Sequence, residues 1–389
     1  MEFGLSDEQL LLVRTVRRFV DTELRPLEKM VEESGRLEAG TAGAIRAKSR
    51  TVGLYAMNMP EELGGGGLST MDWMLVEEEF GRTTDILVRR AFGNVYDILL
   101  AGSEAQQQRW LVPAIRGDQT FSIAFTEAEA GSDAAAIRTR ATPTGDGWSL
   151  TGHKLFISDA HYSDFFVVTA VTGQGTGARG ISTFIVDRDR PGVMVGPDVP
   201  MMGLRGTTHA ELTFERVPLG PEHLLGVEGG GLKLALDALG RVRLAQIGAR
   251  AIGKASMLLE MAIGHSRSRH QFGQPIGGFQ SVGQMLAESA VEINAARLAL
   301  WQAAWMLDQG RSARTQISAV KLQASETLGR VADRALQIFG GSGYSKDLTV
   351  ERHYRDARVY RIFDGTSEIH RNVIARNLLA GDDAYKIPA

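Results

Sequence analysis

The chain has 389 residues, no cysteine, and 43 Lys+Arg against 46 Asp+Glu, a formal net charge of −3. The missing cysteines exclude disulfides, thiolate nucleophiles, iron–sulfur clusters and Cys-ligated zinc, and the near-neutral balance argues against a dedicated nucleic-acid binder, whose footprint is a basic surplus. Hydrophobic residues, at 43%, suffice for a sizeable core, and the length predicts two or three domains.

No stretch reaches the ~18 uninterrupted apolar residues of a membrane span. Residues 1–10 lack the basic and apolar regions of a signal peptide, so a soluble cytoplasmic protein is expected. Ser6 with Gln9 three residues on predicts a capping box, and Asp7 and Glu8 suit the positive end of a helix. Apolar residues then recur with helical period at Leu10, Val13, Val16, Phe19, Val20 and Leu24, until Pro26 interrupts. Four consecutive glycines at 64–67 predict a loop. The helical pattern resumes over 70–80 and again over 103–115.

Near residue 120 the period changes to two. Phe121, Ile123 and Phe125 alternate with Thr120, Ser122 and Ala124. Short β-rich runs follow at 148–151, 165–171, 181–186, 193–195 and 210–214, separated by Gly, Pro and Asp. Many short strands without intervening helices predict a small antiparallel barrel or sandwich.

From Gly229 the helical period returns. Leu328, Val331, Ala332, Ala335, Leu336 and Phe339 form one stripe of a long helix. The stretch 284–307 is apolar on more than one face, which predicts burial in a bundle or at a subunit interface. The domains expected are therefore helical at 1–119, β at 120–228 and a helical bundle, built on four helices, at 229–389.

The chain has 8 histidines, but no HxH or HExxH pair and so no expected metal site. A GxSxG elbow and a phosphate-binding P-loop are absent, and the glycines at 340–343 follow a helix where a dinucleotide fingerprint would follow a strand. Four other segments carry polar residues: 126–133 at a strand end, 154–158 on a strand, 269–273 with Phe279 and Gln280 beyond it, and 363–368. Taken singly, each has an ordinary structural account: a turn, a core aromatic, a helix stop and a helix cap.

Together, and in this order, these segments resemble the acyl-CoA dehydrogenase family over essentially the whole chain. The family's Thr-Glu-Pro-x-Ala-Gly-Ser-Asp segment matches 126–133, with Ala128 in place of the proline. Its Lys-x-(Trp/Phe)-Ile-(Thr/Ser) strand matches 154–158, its Arg-x-x-Phe-Gly helix end 269–273, and its Gln-x-Phe-Gly-Gly-x-Gly stretch 337–343. Its (Glu/Asp)-Gly-Thr-Ser loop, with a following arginine, matches 364–371.

The resemblance implies bound FAD and an FAD-dependent α,β-dehydrogenation of an acyl-CoA thioester. Phe125, Thr126, Phe156 and Ser158 are the implied flavin contacts. Arg269, Phe272, Gln280, Gln337, Gly340 and Gly341 are the implied pyrophosphate and adenosine contacts, partly offered by a neighbouring subunit of a homotetramer, a dimer of dimers. Thr366 and Glu368 close on the cofactor. Ser132, Arg243, Gly365 and Arg376 are the implied substrate contacts, and Ser312 stands where many relatives have an arginine for a CoA phosphate. Electron-transfer flavoprotein is the implied acceptor.

Asp364 occupies the position of the base that takes the α-proton. Most straight-chain members have Glu there, and one methylene less retracts the carboxylate by ~1.5 Å. This expectation favours branched, cyclic or otherwise bulky acyl groups. Some relatives place the base on the helix holding Arg243. The matching residue here is Val242 or Arg243 itself, neither of them an acid. Three alternatives compete. Nitroalkane oxidases share the fold and use Asp as base. A DNA-binding branch has a basic C-terminal addition, whereas this chain ends in an acidic stretch around 381–385. A catalytically silent subunit would not need an intact Asp364.

Overall fold

The computed structural model describes residues 4–173 and 177–382. Residues 1–3, 174–176 and 383–389 lie outside them, and with the last the greater part of the acidic stretch at 381–385. The first seven helices are α1 (Asp7–Phe19), α2 (Glu28–Ser34), α3 (Ala39–Thr51), α4 (Thr70–Phe80), α5 (Asp85–Ala91), α6 (Glu104–Gln106) and α7 (Val112–Arg116). The Ser6 hydroxyl accepts from Gln9 N, and the Gln9 side chain accepts from Ser6 N, the capping box read from the sequence. Ser69 caps α4 through the N–H of Asp72. A π-helical stretch, Gln107–Leu111, joins α6 to α7, so the helix expected over 103–115 runs through a widened turn.

Eight strands follow: β1 (Phe121–Ala124), β2 (Arg140–Thr144), β3 (Gly147–Ser158), β4 (Phe165–Val171), β5 (Ile181–Asp187), β6 (Val193–Asp198), β7 (His209–Leu219) and β8 (Leu224–Leu225). They pair in the order β6-β7-β3-β2-β4-β5-β8, with β1 on β4. Most neighbours run antiparallel, but β1 and β2 run parallel to β4. The unbroken apolar run of β4 has a physical reason. Phe166, Val168 and Ala170 face the β-domain core, while Phe165 and Val167 pack on the other face against Trp110, Leu111 and Ile98 of the helical region. A strand covered on both faces has no use for alternation.

The C-terminal part begins with α8 (Gly231–Val242), which passes through a π-helical stretch, Arg243–Ala249, into α9 (Arg250–Ser268). The strands β9 (His270–Gln271) and β10 (Gln274–Pro275) make a small hairpin. Helices α10 (Gln280–Asp308), α11 (Arg314–Phe339), α12 (Gly341–Tyr344), α13 (Val350–Val359) and α14 (Ser367–Leu379) complete it.

One core joins the two helical regions, with Val16, Trp73 and Phe80 in the same cluster as Leu244, Leu258 and Leu328. The crossing of α4 and α9 is backbone against backbone. A Cβ on Gly253 would lie 1.7 Å from the Glu78 carbonyl oxygen, and one on Gly81 would lie 2.3 Å from that of Arg250. Helix α10 leaves Val291, Leu298 and Trp305, each seven residues from the next, exposed on its outer side. Among the described residues no helix is long and apolar enough to cross a membrane.

Candidate active site

The loop between α13 and α14 carries Asp364 in the left-handed region, at φ 51°, followed by Gly365 at φ 95°. A non-glycine residue held there stores strain that its surroundings must hold in place. Three donors do so. The Asp364 carbonyl accepts from Arg243 Nε at 3.0 Å and from His370 Nε2 at 3.2 Å, and the Gly365 carbonyl accepts from Lys321 Nζ at 2.6 Å. Thr366 then caps α14, its hydroxyl accepting from Ile369 N.

The bond from His370 requires its Nε2–H tautomer. Burial, with Lys321 and Arg243 adding to it, pushes this imidazole down to about 4, so the ring is neutral at pH 7. Burial likewise pushes the Lys321 ammonium down to about 8, against the pull of Asp364. A Cβ on Gly365 would stand 2.9 Å from His370 Nε2, which reserves that position for glycine. With both carbonyls tied back, the N–H groups of Asp364 and Gly365 and the Asp364 carboxylate have no hydrogen-bond partner among the described residues.

A second group lies on the β-domain. Leu155 N donates to the Thr126 carbonyl at 2.8 Å, setting Phe125 and Thr126 beside Phe156 and Ser158. The pairing of β3 with β7 slips between Lys154 and Ile157, and this bulge re-aims Phe156, at φ 58°, outward. Its ring is 47% exposed, large for an aromatic in mid-strand. Lys154 is buried beneath, donating to Glu127 Oε1 at 2.8 Å and to the Phe125 carbonyl at 3.1 Å. Burial pushes its ammonium down to about 8, with Glu127 opposing. The hydroxyls of Thr126 and Ser158 meet no partner among the described residues, so an open ring face flanked by two unused hydroxyls fits a planar heteroaromatic ring with polar edges.

A third group gathers at one end of the bundle. The rings of His265 on α9 and Phe339 on α11 stack at 4.2 Å, bringing Arg269 and the start of α10 at Gln280 towards Gln337, Gly340 and Gly341. Phe272, at the β9–β10 turn, is 93% exposed and touches Phe279 edge-on. No hydrogen bond or ion pair joins this group to the Phe156 shelf within the described chain. Ser132, Glu368 and Arg376 are exposed; Ser132 and Arg376 have no bond to the Asp364 loop among the described residues, while Glu368 bonds to Thr366 at the loop's end and pairs with Arg371. Val242 is in the core.

Sequence reasoning missed Lys321 and His370, and did not assign Lys154 its task under Phe125. Lys321 sits on the same stripe of α11 as Ala324 and Leu328. A lone ammonium at such a position is the signal that was available.

Three family models match in chain order: "Acyl-CoA dehydrogenase, N-terminal domain" over 6–118, "Acyl-CoA dehydrogenase, middle domain" over 122–217 and "Acyl-CoA dehydrogenase, C-terminal domain" over 229–379. The chain is 35% identical over 379 residues to the mitochondrial short-chain specific acyl-CoA dehydrogenase of Bos taurus, covering 96% of this chain and 91% of that protein. The butyryl-CoA dehydrogenase of Megasphaera elsdenii superimposes with a TM-score of 0.90 at 32% identity, over 97% of this chain and 100% of that one. The FAD complex of PigA superimposes with a TM-score of 0.90 at 27% identity, over 97% and 99% of the two chains.

Proposed function

The chain belongs to the acyl-CoA dehydrogenase family, and on that premise we propose that it oxidises an acyl-CoA thioester to the 2-enoyl-CoA with Asp364 as the base. The enzyme is an FAD-dependent oxidoreductase. When bound, FAD supplies the acceptor for the β-hydrogen, which leaves with its electron pair. The chain's own residues do the rest. The Asp364 carboxylate takes the α-proton, and the electron pair of that C–H bond becomes the new C=C bond. The thioester oxygen gains negative charge as the proton leaves, and a free N–H at Asp364 or Gly365 is the donor such charge needs. Phe125, Thr126, Phe156 and Ser158 hold the ring of the cofactor. Arg269, Phe272, Gln280, Gln337, Gly340 and Gly341 hold its phosphates and adenosine, in part across subunits, with Thr366 and Glu368 closing the loop side. Ser132, Gly365 and Arg376 contact the CoA ester.

The observation that carries this reading is the Asp364 loop. Its carbonyls are bound from behind by Arg243, His370 and Lys321, and its carboxylate is left without a protein partner. In the test, the flavin-loaded enzyme is mixed anaerobically with a panel of acyl-CoA esters while the flavin absorbance is followed. An ester should bleach the flavin, and Asp364→Asn should slow bleaching ~100-fold or more with the yellow cofactor retained. A second reading rests on the aspartate itself: bleaching by a nitroalkane and by no CoA ester would replace the dehydrogenase with a nitroalkane oxidase.

The proposal includes domains at 1–119, 120–228 and 229–389, electron-transfer flavoprotein as acceptor, the cytoplasm as compartment and a homotetramer. The exposed Val291, Leu298 and Trp305 stripe supports association. A monomer mass by light scattering would remove that part.

A further inference from the structure

We propose that the acyl group carries a carboxylate and that Arg243 is the residue that reads it; the inference rests on Asp364 being the base. Arg243 opens the π-helical stretch of the α8–α9 helix, a widened turn of the kind that re-aims side chains at functional sites. Its Nε is spent on the Asp364 carbonyl. Its two terminal nitrogens have no acceptor and no ion-pair partner among the described residues, and burial pulls the group below its ordinary range with Asp364 as the acid that opposes it. Arg243 is half-buried, and a partly desolvated cation gains from an anion that meets its free donors. The planar fork left over matches the two oxygens of a carboxylate.

The wall beyond Arg243 is also polar. Gln246, three residues on, lies 3.4 Å from the Tyr96 hydroxyl and 3.5 Å from Asn94 Oδ1. Farther along the helix, Arg250 is fully matched by Glu77 at 2.6 Å and Asp85 at 2.7 Å. Lys321 directs one N–H to the Gly365 carbonyl and keeps donors of its own, but as a point charge it lacks a planar fork. Arg243 is the guanidinium at the Asp364 loop whose two terminal nitrogens have no acceptor among the described residues. A hydrocarbon tail laid against Gln246 and Tyr96 would strip water from them without replacing its hydrogen bonds. Charge, and not the hydrocarbon bulk that the shortened base suggested by itself, is then what selects the substrate: a short dicarboxylic acid joined to CoA through one of its ends.

The experiment compares three thioesters of one chain length on the flavin-loaded enzyme: a five-carbon dicarboxylic acyl-CoA, its methyl ester, and pentanoyl-CoA. The free acid should reach half-maximal bleaching rate at a concentration ~10-fold or more below the methyl ester, as expected for a hydrogen-bonded charge pair. Arg243→Gln keeps a donor for the Asp364 carbonyl but drops the charge. It should erase that ratio. Equal behaviour of acid and ester in the unmutated enzyme overturns the inference, and that comparison needs no variant. A loss of the same factor for all three substrates in Arg243→Gln also overturns it and reassigns the fork to the CoA phosphates. Bleaching by pentanoyl-CoA and the ester without preference for the acid leaves the dehydrogenase reading standing. Bleaching by no thioester fells both.

Discussion

At Asp364 a strained residue is held by hydrogen bonds that leave its own functional atoms free. The φ of 51° turns its carbonyl towards Arg243 and His370 and away from the side where a substrate would lie. His370 performs this as a neutral donor, and that has a consequence for stability. Its folded value, about 4, is below the ordinary 6.5. Between those values the unfolded chain holds a proton that the native chain does not, so stability falls as pH drops through this window. Urea midpoints of the unmutated protein and His370→Gln, measured at pH 7 and pH 5, should converge or cross at the lower pH. A constant gap would mean that His370 titrates normally. The sequence marked Asp364 and Gly365 as a motif. It did not mark Lys321 or His370, because what makes them matter is the carbonyl each donates to, and those carbonyls lie 44 and 6 residues away.

Among the elements, the crossing of α4 and α9 depends on residues with no side chain. Ala at Gly253 would drive a methyl into the Glu78 carbonyl, a backbone atom that cannot swing aside. Gly253→Ala should therefore cost ~3 kcal/mol or prevent folding. Gly264 lies in the same helix with nothing within 4 Å of a built Cβ, so Gly264→Ala should stabilise by about 0.4–1 kcal/mol. Thermal melts of the two variants by circular dichroism read opposite signs. Equal shifts would mean that helix propensity, not close approach, governs Gly253. The long helices and most strands were legible from period and caps: α4 begins after Ser69 and ends at Phe80, as its pattern implied. The π-helical turns at 107–111 and 243–249 were not, since a single inserted residue barely perturbs an apolar period of 3.6. One of them places Arg243.

In the whole molecule, a buried chain of alternating charges ties the three parts together. Glu77 on α4 pairs with Arg250 on α9, Arg250 with Asp85 on α5, Asp85 with Arg89, and Arg89 with Asp159 at the end of the β3 strand. Arg250 is 1% exposed and Glu77 0%, so removing the arginine strands Glu77 in the interior and leaves Asp85 with Arg89 alone. Arg250→Met should lower the unfolding free energy by about 3–5 kcal/mol, and adding Glu77→Gln should recover part of the loss. Additive losses in the double variant, read from urea unfolding, would show that the two residues are not coupled.

The sequence by itself determined the order of helical, β and helical regions and the family, and it marked the segments proposed here to hold the flavin and the residue proposed as base. Period, capping and motif residues are local properties, written along the chain. Only the tertiary structure decided which groups hold the Asp364 loop, that β4 is covered on both faces, and that Arg243 arrives beside Asp364 with its fork unused. Those facts depend on which atoms from distant segments come within hydrogen-bond reach, and on which buried charges find partners, and neither is a property of any one stretch of chain.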